Sequence, residues 1–199
     1  MSNAQFTLFE TTIGACGIAW GERGIVGLQL PESSADKARA RMRRRFPQAA
    51  EMSPPAAIQR AIDLIVTHLH GEPADLSAIS LDQEALPAFD RNVYEVARSI
   101  APGATLTYGD IATRLGDKLL SRDVGQALGR NPFPIVVPCH RVVAANGKLG
   151  GFSARGGTAT KLRLLAIEGA AAAAQLGLFE ERGTGEASLS HQMRAENSA

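Results

Sequence analysis

The chain has 199 residues, of which 45% are hydrophobic and 21% charged, and its formal net charge is +1. The length allows one compact domain or two small ones, and the composition excludes collagen-like, mucin-like and wholly disordered proteins. Residues 86–170 hold eleven basic and six acidic side chains, whereas residues 1–85 and residues 171–199 each have a formal net charge of −2. Such a basic segment is typical of a region that faces a polyanion, although a solvated basic surface gives the same count.

The two cysteines, Cys16 and Cys139, cannot form a disulfide framework, and no Cys-x-x-Cys pair is present for a structural zinc site. The sequence has no apolar run long enough to cross a membrane, and no basic N-terminal stretch followed by an apolar one. We therefore expect a cytoplasmic protein with two free thiols, no metal and no membrane contact.

The N-terminal third has short apolar runs separated by turns. They predict an antiparallel meander of three strands, at residues 6–12, 16–20 and 24–30. An arginine-rich helix is expected over residues 35–46, where Pro47 ends it.

A second helix is expected after Pro54-Pro55, because apolar residues recur there at helical spacing: Ile58, Ile62, Ile65 and Leu69. His68 and His70 are two residues apart, so on a helix they point to different sides and chelate one ion poorly. We expect both histidines at the surface. Residues 77–81 are consistent with another strand, and the polar segment that follows is consistent with a linker between domains.

The second half of the chain is expected to be mostly helical, beginning with an amphipathic helix that contains Phe89, Val93, Val96, Ala97 and Ile100. Two short helices follow, joined by a turn at Gly116-Asp117, a pattern typical of a helix-turn-helix but also of ordinary helical hairpins. The second of them contains Gly125, Ala127 and Gly129. Such small residues allow close approach of another helix or of a nucleic-acid groove, and both interpretations remain open.

A candidate reactive thiol lies in the segment Pro138-Cys139-His140-Arg141. The apolar run at 135–137 predicts a buried strand before it, and residues 142–145 with Asn146-Gly147 predict a strand and a hairpin turn after it. A base or a nearby cation can convert a thiol to a thiolate, so the adjacent histidine favours a nucleophilic cysteine over an inert buried one.

These residues, together with their surroundings, resemble the O6-alkylguanine-DNA alkyltransferases, also called methylated-DNA–protein-cysteine methyltransferases. The resemblance covers about residues 86–170 and is faint before them. The segments that carry it are Thr107-Tyr108-Gly109-Asp110-Ile111-Ala112, Asn131-Pro132, Ile135-Val136-Val137-Pro138-Cys139-His140-Arg141-Val142-Val143, Gly151-Phe152-Ser153, Lys161 to Leu165, and Glu168-Gly169.

The resemblance implies a nucleophile, a base and a group that orients the base. Cys139 would accept the alkyl group, His140 would take the thiol proton through a bound water, and Glu168 would orient the imidazole. Asn131 would brace the turn before the active-site segment, and Tyr108 would rotate the 3′ phosphate and donate to the extruded base.

The resemblance also implies a set of contacts to DNA. Arg122 would enter the base stack as an arginine finger, with Gly125 and Ala127 on a recognition helix in the minor groove. The carbonyl groups of Cys139 and Val142 would read the guanine amino group. The remaining residues expected at the DNA or base are Pro134, Arg141, Phe152 and Ser153. Phe152 replaces a tyrosine common among relatives, and the loop at 153–157 is about two residues longer than usual.

The implied architecture is α+β. Residues 1–82 would form a small α/β domain of ribonuclease H-like fold. Residues 86–170 would form a mostly helical, winged-helix or helix-turn-helix domain that binds DNA and holds the active site, and residues 171–199 would be a disordered tail. The implied partner is double-stranded DNA containing O6-alkylguanine, the protein is expected to be a monomer, and the reaction needs no cofactor.

The implied reaction is transfer of an alkyl group from O6 of guanine, and also from O4 of thymine, to Cys139. The target base must first be extruded from the stack, at a cost of a few kcal/mol. Since the product is a stable thioether, each chain would act once. Two alternatives stay open at this point: a relative that recognises the lesion without removing it, and a cysteine hydrolase built on Cys139 and His140.

Overall fold

The computed structural model describes residues 4–145 and 148–171 of the chain. The predicted turn at Asn146-Gly147 and almost all of the predicted tail lie outside the described residues. The fold is mixed α+β, with a small sheet in the N-terminal part and mainly helices in the C-terminal part.

The N-terminal sheet has four strands in the order β3-β2-β1-β4. The predicted meander is confirmed, with β1 at Gln5–Phe9, β2 at Cys16–Gly21 and β3 at Gly24–Gln29 pairing antiparallel. The sequence did not predict β4, Ala50–Glu51, which pairs parallel to β1. Both its residues are exposed, so β4 carries no apolar signal.

The helix predicted over 35–46 is confirmed as α1, Ala35–Arg45, which packs on this sheet. The side chain of Ser34 accepts a hydrogen bond from the Lys37 N–H and so caps the first turn. Ala38 and Met42 are buried against the strands, whereas the arginines of the last turn lie where the helix dipole favours cations.

Helix α2, Ala56–Leu69, buries the predicted apolar face. The strand expected at 77–81 is wrong. The Asp75 carboxylate accepts the Ser77 N–H and starts a 3-10 turn at Leu76–Ala78, so that only Leu81 makes a β-bridge, to Ile25.

Besides 3-10 turns at Lys118–Leu120 and Cys139–Arg141, the C-terminal part contains α-helices and one pair of very short parallel strands. In chain order these elements are α3 at Ala88–Arg98, β5 at Leu106–Thr107, α4 at Tyr108–Arg114, α5 at Ser121–Gly129, β6 at Val142–Val143 and α6 at Thr158–Ile167. The start of α4 is fixed by a capping box, in which Thr107 and Asp110 each bond the other's backbone N–H.

The strand predicted at residues 135–137 is also wrong. Ile135 has a φ of 78°, in the left-handed region, and the Val137 N–H donates to the Phe133 carbonyl at 2.8 Å, which closes a tight turn. The three residues are buried, as the apolar run indicated. Burial was therefore predicted correctly, but an apolar run alone does not distinguish a strand from a buried turn.

One hydrophobic core runs through both parts of the chain. It includes Ile18 from the sheet, Ile65 from α2, Val93 from α3 and Leu164 from α6. A backbone hydrogen bond from Leu28 in β3 to the Pro132 carbonyl, 2.8 Å long, ties the sheet to the segment that precedes Cys139. The two parts therefore hold each other in place around the active-site segment. Within residues 4–145 and 148–171, no helix is long and apolar enough to span a bilayer.

Candidate active site

Cys139 begins a 3-10 turn, Cys139–Arg141, that leads directly into β6. Its side chain is half-buried and forms part of the wall of two adjoining cavities of about 330 and 260 Å³. The other cysteine, Cys16, is buried in β2, and burial raises the pKa of its thiol to about 12. Of the two thiols, only Cys139 is therefore accessible to a substrate.

Glu168, directly after the last residue of α6, is the centre of a buried hydrogen-bond cluster. Its Oε1 atom accepts from His140 Nε2 at 2.8 Å, from His68 Nε2 at 2.9 Å and from Arg141 Nη2 at 2.8 Å. Arg141 Nε also donates to Glu168 Oε2, at 2.9 Å. The expected pairing of His140 with Glu168 is thus present in the geometry, and two further donors share the same carboxylate.

The cluster determines which nitrogen of His140 carries the proton. Burial raises the pKa of Glu168, but hydrogen bonds from His140, His68 and Arg141 outweigh burial and hold it far below its usual value. The carboxylate is therefore ionised and can only accept, so the Nε2 atom of His140 must carry a proton. Burial also lowers the pKa of His140, which keeps the ring neutral and leaves Nδ1 unprotonated.

The Nδ1 atom of His140 is buried and has no hydrogen-bond partner among the described residues. An unprotonated, unpartnered imidazole nitrogen on the residue next to Cys139 has the chemistry of a general base. Burial raises the pKa of the Cys139 thiol, while Asn131, Lys161 and the nearby backbone N–H groups act in the opposite direction. The resting pair is accordingly a neutral thiol and a neutral imidazole, the state from which the expected transfer of the thiol proton to His140 would begin.

Asn131 braces the buried turn that precedes Cys139. Its Nδ2 donates to the Val137 carbonyl at 2.9 Å, and its Oδ1 accepts from the Phe133 N–H at 2.9 Å. This arrangement matches the bracing role expected for Asn131. The turn brings the Cys139 backbone to its position, where its N–H donates to the Val137 carbonyl at 2.8 Å.

Tyr108, the first residue of α4, lines the larger cavity together with Cys139, Phe152 and Ser153. Burial raises the pKa of its phenol, so the hydroxyl group is protonated and can donate. Gly150 lies against this hydroxyl with a φ of +71°. A Cβ atom there would be 3.0 Å from the oxygen, which explains why a glycine is needed.

Helix α5 presents one open face and one packed face. Arg122 is exposed and lines, with Tyr108, a third cavity of about 520 Å³, while Gly125 is half-buried beside the Tyr108 ring. Ala127, by contrast, is fully buried, and its carbonyl accepts from the Tyr94 hydroxyl at 2.8 Å. The predicted DNA contact of Ala127 is therefore wrong, because this small residue packs against α3.

The predicted DNA contact of Arg141 is wrong as well. Its side chain is 6% exposed and is held inside the protein by Glu168 and by the carbonyl of Ile100. The basic residue next to the Cys-His pair was expected to face DNA, but it is the counter-ion of the buried carboxylate. The guanidinium is charged in any protein, so Glu168 is neutralised without either histidine.

The remaining predicted residues lie around Cys139. Pro134, Phe152 and Ser153 line the smaller cavity with it, and Phe152 and Ser153 also line the larger one. The Val142 carbonyl accepts from Lys161 Nζ at 2.5 Å, and the Cys139 carbonyl accepts from the Val142 N–H. Cys139 lines both cavities, whereas Val142 is fully buried and lines neither of them, so the structure leaves only the Cys139 carbonyl beside the cavities.

Sequence reasoning missed two residues of this site. His68 was expected at the surface but is 5% exposed, and Lys161 was not given a role although it is fully buried with its Nζ bonded to the carbonyls of Val142 and Leu149. A signal was present in both cases. His68 follows Ile65 by three residues and Lys161 precedes Leu164 by three, which places each on the apolar face of its helix.

Comparison with known proteins identifies the family. A family model described as the DNA-binding domain of 6-O-methylguanine DNA methyltransferase matches residues 88–170. The methylated-DNA–protein-cysteine methyltransferase of Methanothermobacter thermautotrophicus is 37% identical over 153 residues, which cover 77% of this chain and 78% of that protein. The chain belongs to the methylated-DNA–protein-cysteine methyltransferase family.

Solved methyltransferase structures agree with this assignment over a larger part of the chain. The Mycobacterium tuberculosis O6-methylguanine methyltransferase superposes with a TM-score of 0.66 at 31% identity, covering 88% of this chain and 99% of that one. A Mycobacterium tuberculosis structure described as OGT in complex with DNA superposes with a TM-score of 0.65 at 30% identity, covering 86% and 98% of the two chains. The likeness to solved methyltransferases thus extends into the N-terminal part, where the sequence resemblance was faint.

Proposed function

We propose that this protein repairs double-stranded DNA by transferring a methyl or larger alkyl group from O6 of guanine to Sγ of Cys139. We extend the proposal to O4 of thymine, where the alkyl carbon has the same kind of ether linkage. The observation that carries the proposal is the accessible Cys139 thiol, followed in the chain by a neutral histidine whose Nδ1 has no partner among the described residues and whose Nε2–H is bonded to a buried carboxylate.

The transfer is a displacement in which a thiol becomes a thioether. His140 takes the thiol proton at Nδ1, through a bound water, as Sγ attacks the alkyl carbon, and Glu168 stabilises the imidazolium that forms. The bond from the alkyl carbon to O6 breaks and its electron pair remains on the base, whose negative charge the Tyr108 hydroxyl stabilises by donating a hydrogen bond. The base then takes one proton from solvent and the imidazolium returns the thiol proton to solvent, so the proton balance closes. Because the thioether is stable and the described site offers no group to cleave it, each chain acts once.

Base extrusion is assigned to the face of α5 that carries Arg122 and Gly125. A flipped purine leaves a gap in the stack, and Arg122 is exposed and long enough to fill it while attracting phosphates. The extruded base would enter the cavity of about 330 Å³ between Tyr108, Phe152 and Ser153. The Cys139 carbonyl would read its amino group, and Pro134 would lie at the rim with Cys139. The Val142 carbonyl, which is buried and bonded to Lys161 Nζ, is not assigned this role.

We also propose the finer architecture that the sequence implied. A sheet of order β3-β2-β1-β4 under α1 supports a ribonuclease H-like domain at 1–82, and the pair α4–α5 supports a helix-turn-helix or winged-helix domain at 86–170. A monomer suits a site whose residues come from one chain, and a reducing, cytoplasmic environment suits the free Cys139 thiol.

The proposal is tested by the intact mass of the protein after incubation with a duplex oligonucleotide containing O6-methylguanine. We expect a gain of one methyl group per chain, located on Cys139 by peptide mapping. Cys139→Ser should gain none, and the matched control Cys16→Ser should behave as the unchanged protein.

Two results would replace this function by another. Binding of the duplex with the methyl group retained on guanine indicates lesion recognition without repair. Repeated turnover of an ester or amide with DNA left unchanged indicates a cysteine hydrolase.

A further inference from the structure

His68 lies in the last turn of α2, 72 positions before the proposed base in the chain, yet it reaches the same carboxylate oxygen as His140. The distances from Glu168 Oε1 are 2.9 Å to His68 Nε2 and 2.8 Å to His140 Nε2. All three side chains are buried. A histidine from the N-terminal part of the chain is therefore in direct contact with the group that orients the base.

We propose that His68 is a positioning residue for alkyl transfer, which holds Oε1 of Glu168 in place for His140 through the N–H of its Nε2 atom. The inference rests on the function proposed above and deepens it, since it makes α2 a part of the catalytic apparatus. His68 itself touches neither the substrate nor Sγ of Cys139 in this assignment; it acts through Glu168.

Charge neutralisation does not account for His68. Arg141 already balances the Glu168 charge with a two-pronged contact, in which Nε bonds Oε2 at 2.9 Å and Nη2 bonds Oε1 at 2.8 Å. The guanidinium is in turn fixed by the carbonyl of Ile100. What His68 adds is a second imidazole donor on the oxygen that His140 uses, and this donor restricts the direction from which Glu168 meets His140.

The backbone around His68 is fixed firmly enough to serve this purpose. Leu69 is buried in the shared core, and its carbonyl accepts from Thr12 Oγ1 at 2.6 Å, so the end of α2 is attached to the loop between β1 and β2. The Gly71 N–H donates to the His68 carbonyl at 3.0 Å. Because Gly71 also lies against the end of α6, the two helix ends that carry His68 and Glu168 are packed together.

The donor role of His68 requires one particular tautomer of its imidazole ring. Glu168 is ionised and can only accept, so His68 must carry its proton on Nε2, as must His140. Both should appear as Nε2–H rings in the ¹⁵N spectrum of histidine-labelled protein. His70, exposed and two residues further on, has no such requirement and provides a matched control.

The kinetic test compares four variants for the rate of methyl transfer from an O6-methylguanine duplex to Cys139. His68→Leu removes the donor and should slow transfer about tenfold or more. His68→Gln retains an N–H group at the same distance along the side chain and should restore the rate to within about threefold. His68→Asn, whose amide is too short to reach, should be slow like the leucine variant, and His70→Leu should be unchanged.

The outcomes separate this inference from the proposed function. Equal rates for all variants, or equally slow rates for leucine and glutamine, would overturn the positioning role, whereas absence of transfer in the unchanged protein refutes the repair function instead. The ¹⁵N signals of His140 test the inference without any DNA. They should move in His68→Leu and in His68→Asn but not in His70→Leu. Unmoved His140 signals in either His68 variant, with folding confirmed by circular dichroism, would overturn the inference.

Discussion

Ile135 is a buried, β-branched residue whose backbone has a φ of 78°, a conformation that costs a residue of this type about 1–2 kcal/mol. Asn131 offsets this cost, since its amide satisfies the Val137 carbonyl and the Phe133 N–H at the two sides of the same turn. Burial of the isoleucine side chain adds a further contribution. The position of Cys139 thus depends on one amide side chain that holds a strained turn.

Asn131→Ala should destabilise the protein by about 1–3 kcal/mol, because it leaves the buried Phe133 N–H without a partner and the Val137 carbonyl with the Cys139 N–H alone. Urea unfolding followed by circular dichroism measures the change. Asn92→Ala, at an exposed position of α3, is the matched control and should change the free energy of unfolding by less than about 0.5 kcal/mol. A loss equal to that of the control would show that the turn does not need the Asn131 amide.

The pH dependence of transfer should reflect the lowered pKa of His140. Burial lowers that pKa from the ordinary value of 6.5, so the ring stays neutral and able to accept a proton below pH 6.5. The thiol pKa is raised, so the fraction of thiol does not change in this range. We expect the transfer rate to stay level from pH 8 to below 6.5 and to fall only at more acid pH; a fall with its midpoint at 6.5 or above contradicts this assignment.

Helix α5 combines tight packing with an open face. Val124, Ala127 and Leu128 are buried on one side, while Arg122 is exposed and Gly125 half-exposed on the other. Glycine within a helix costs up to about 1 kcal/mol relative to alanine. Since a Cβ atom on Gly125 would be 3.8 Å from the Tyr108 ring, an ordinary contact, packing inside the protein does not require this glycine.

Gly125→Ala separates the two interpretations that the sequence left open. We expect it to stabilise the protein by about 0.5–1 kcal/mol in thermal unfolding. It should also slow transfer from duplex DNA while leaving transfer from free O6-benzylguanine nearly unchanged, because only DNA must approach the helix backbone. Equal rates of transfer from the duplex for Gly125→Ala and for the unchanged protein would show that DNA does not approach the helix backbone at this position.

Most elements of this fold could be predicted because the apolar residues of each element recur at the spacing of a helix or of a strand. Helices α2 and α3 and strands β1 to β3 have that property, and the structure places them within a few residues of the prediction. Strand β4 has only two exposed residues, and the apolar run at 135–137 is wound into a turn by Asn131, a contact that periodicity does not contain.

From the residue pattern alone, the site was predictable only where its residues are neighbours in the sequence, and the family resemblance supplied Tyr108, Asn131 and Glu168. Cys139 and His140 are adjacent, and Glu168 follows a helix that resembles a known pattern. The burial of Arg141 and the contact of His68 with Glu168 depend on how two distant parts of the chain pack, which no local pattern specifies. Lone polar residues on apolar helix faces, such as His68 and Lys161, are the best sequence signal for such contacts.

At the scale of the whole molecule, Glu168 joins groups from both parts of the chain inside one continuous core. Its carboxylate, at the end of α6, accepts from α2 on one side and from the segment after Cys139 on the other. A buried charge held in this way contributes to stability as well as to chemistry, since removal of one partner leaves the others unpaired.

Glu168→Gln should destabilise the protein by about 3–5 kcal/mol at neutral pH, because Arg141 would remain buried without a counter-ion. Hydrogen bonds hold the pKa of Glu168 in the folded protein far below its ordinary value of 4.5, so its contribution is complete above pH 4.5 and is lost as the pH falls further. Urea unfolding at several pH values should therefore show a steeper acid loss in the unchanged protein than in Glu168→Gln. Glu95→Gln, exposed on α3, should follow the unchanged protein at every pH.

The shared core has a consequence for dividing this chain. The family model begins at residue 88, but Val93, Val137 and Leu164 of the matched segment pack into the same interior as Ile18 and Ile65. A fragment that starts there would expose the apolar side chains of this core to water, and Glu168 would lose the hydrogen bond from His68. The segment from residue 88 therefore cannot be exchanged between relatives by itself. The N-terminal residues that pack against it in the shared core would have to be exchanged with it.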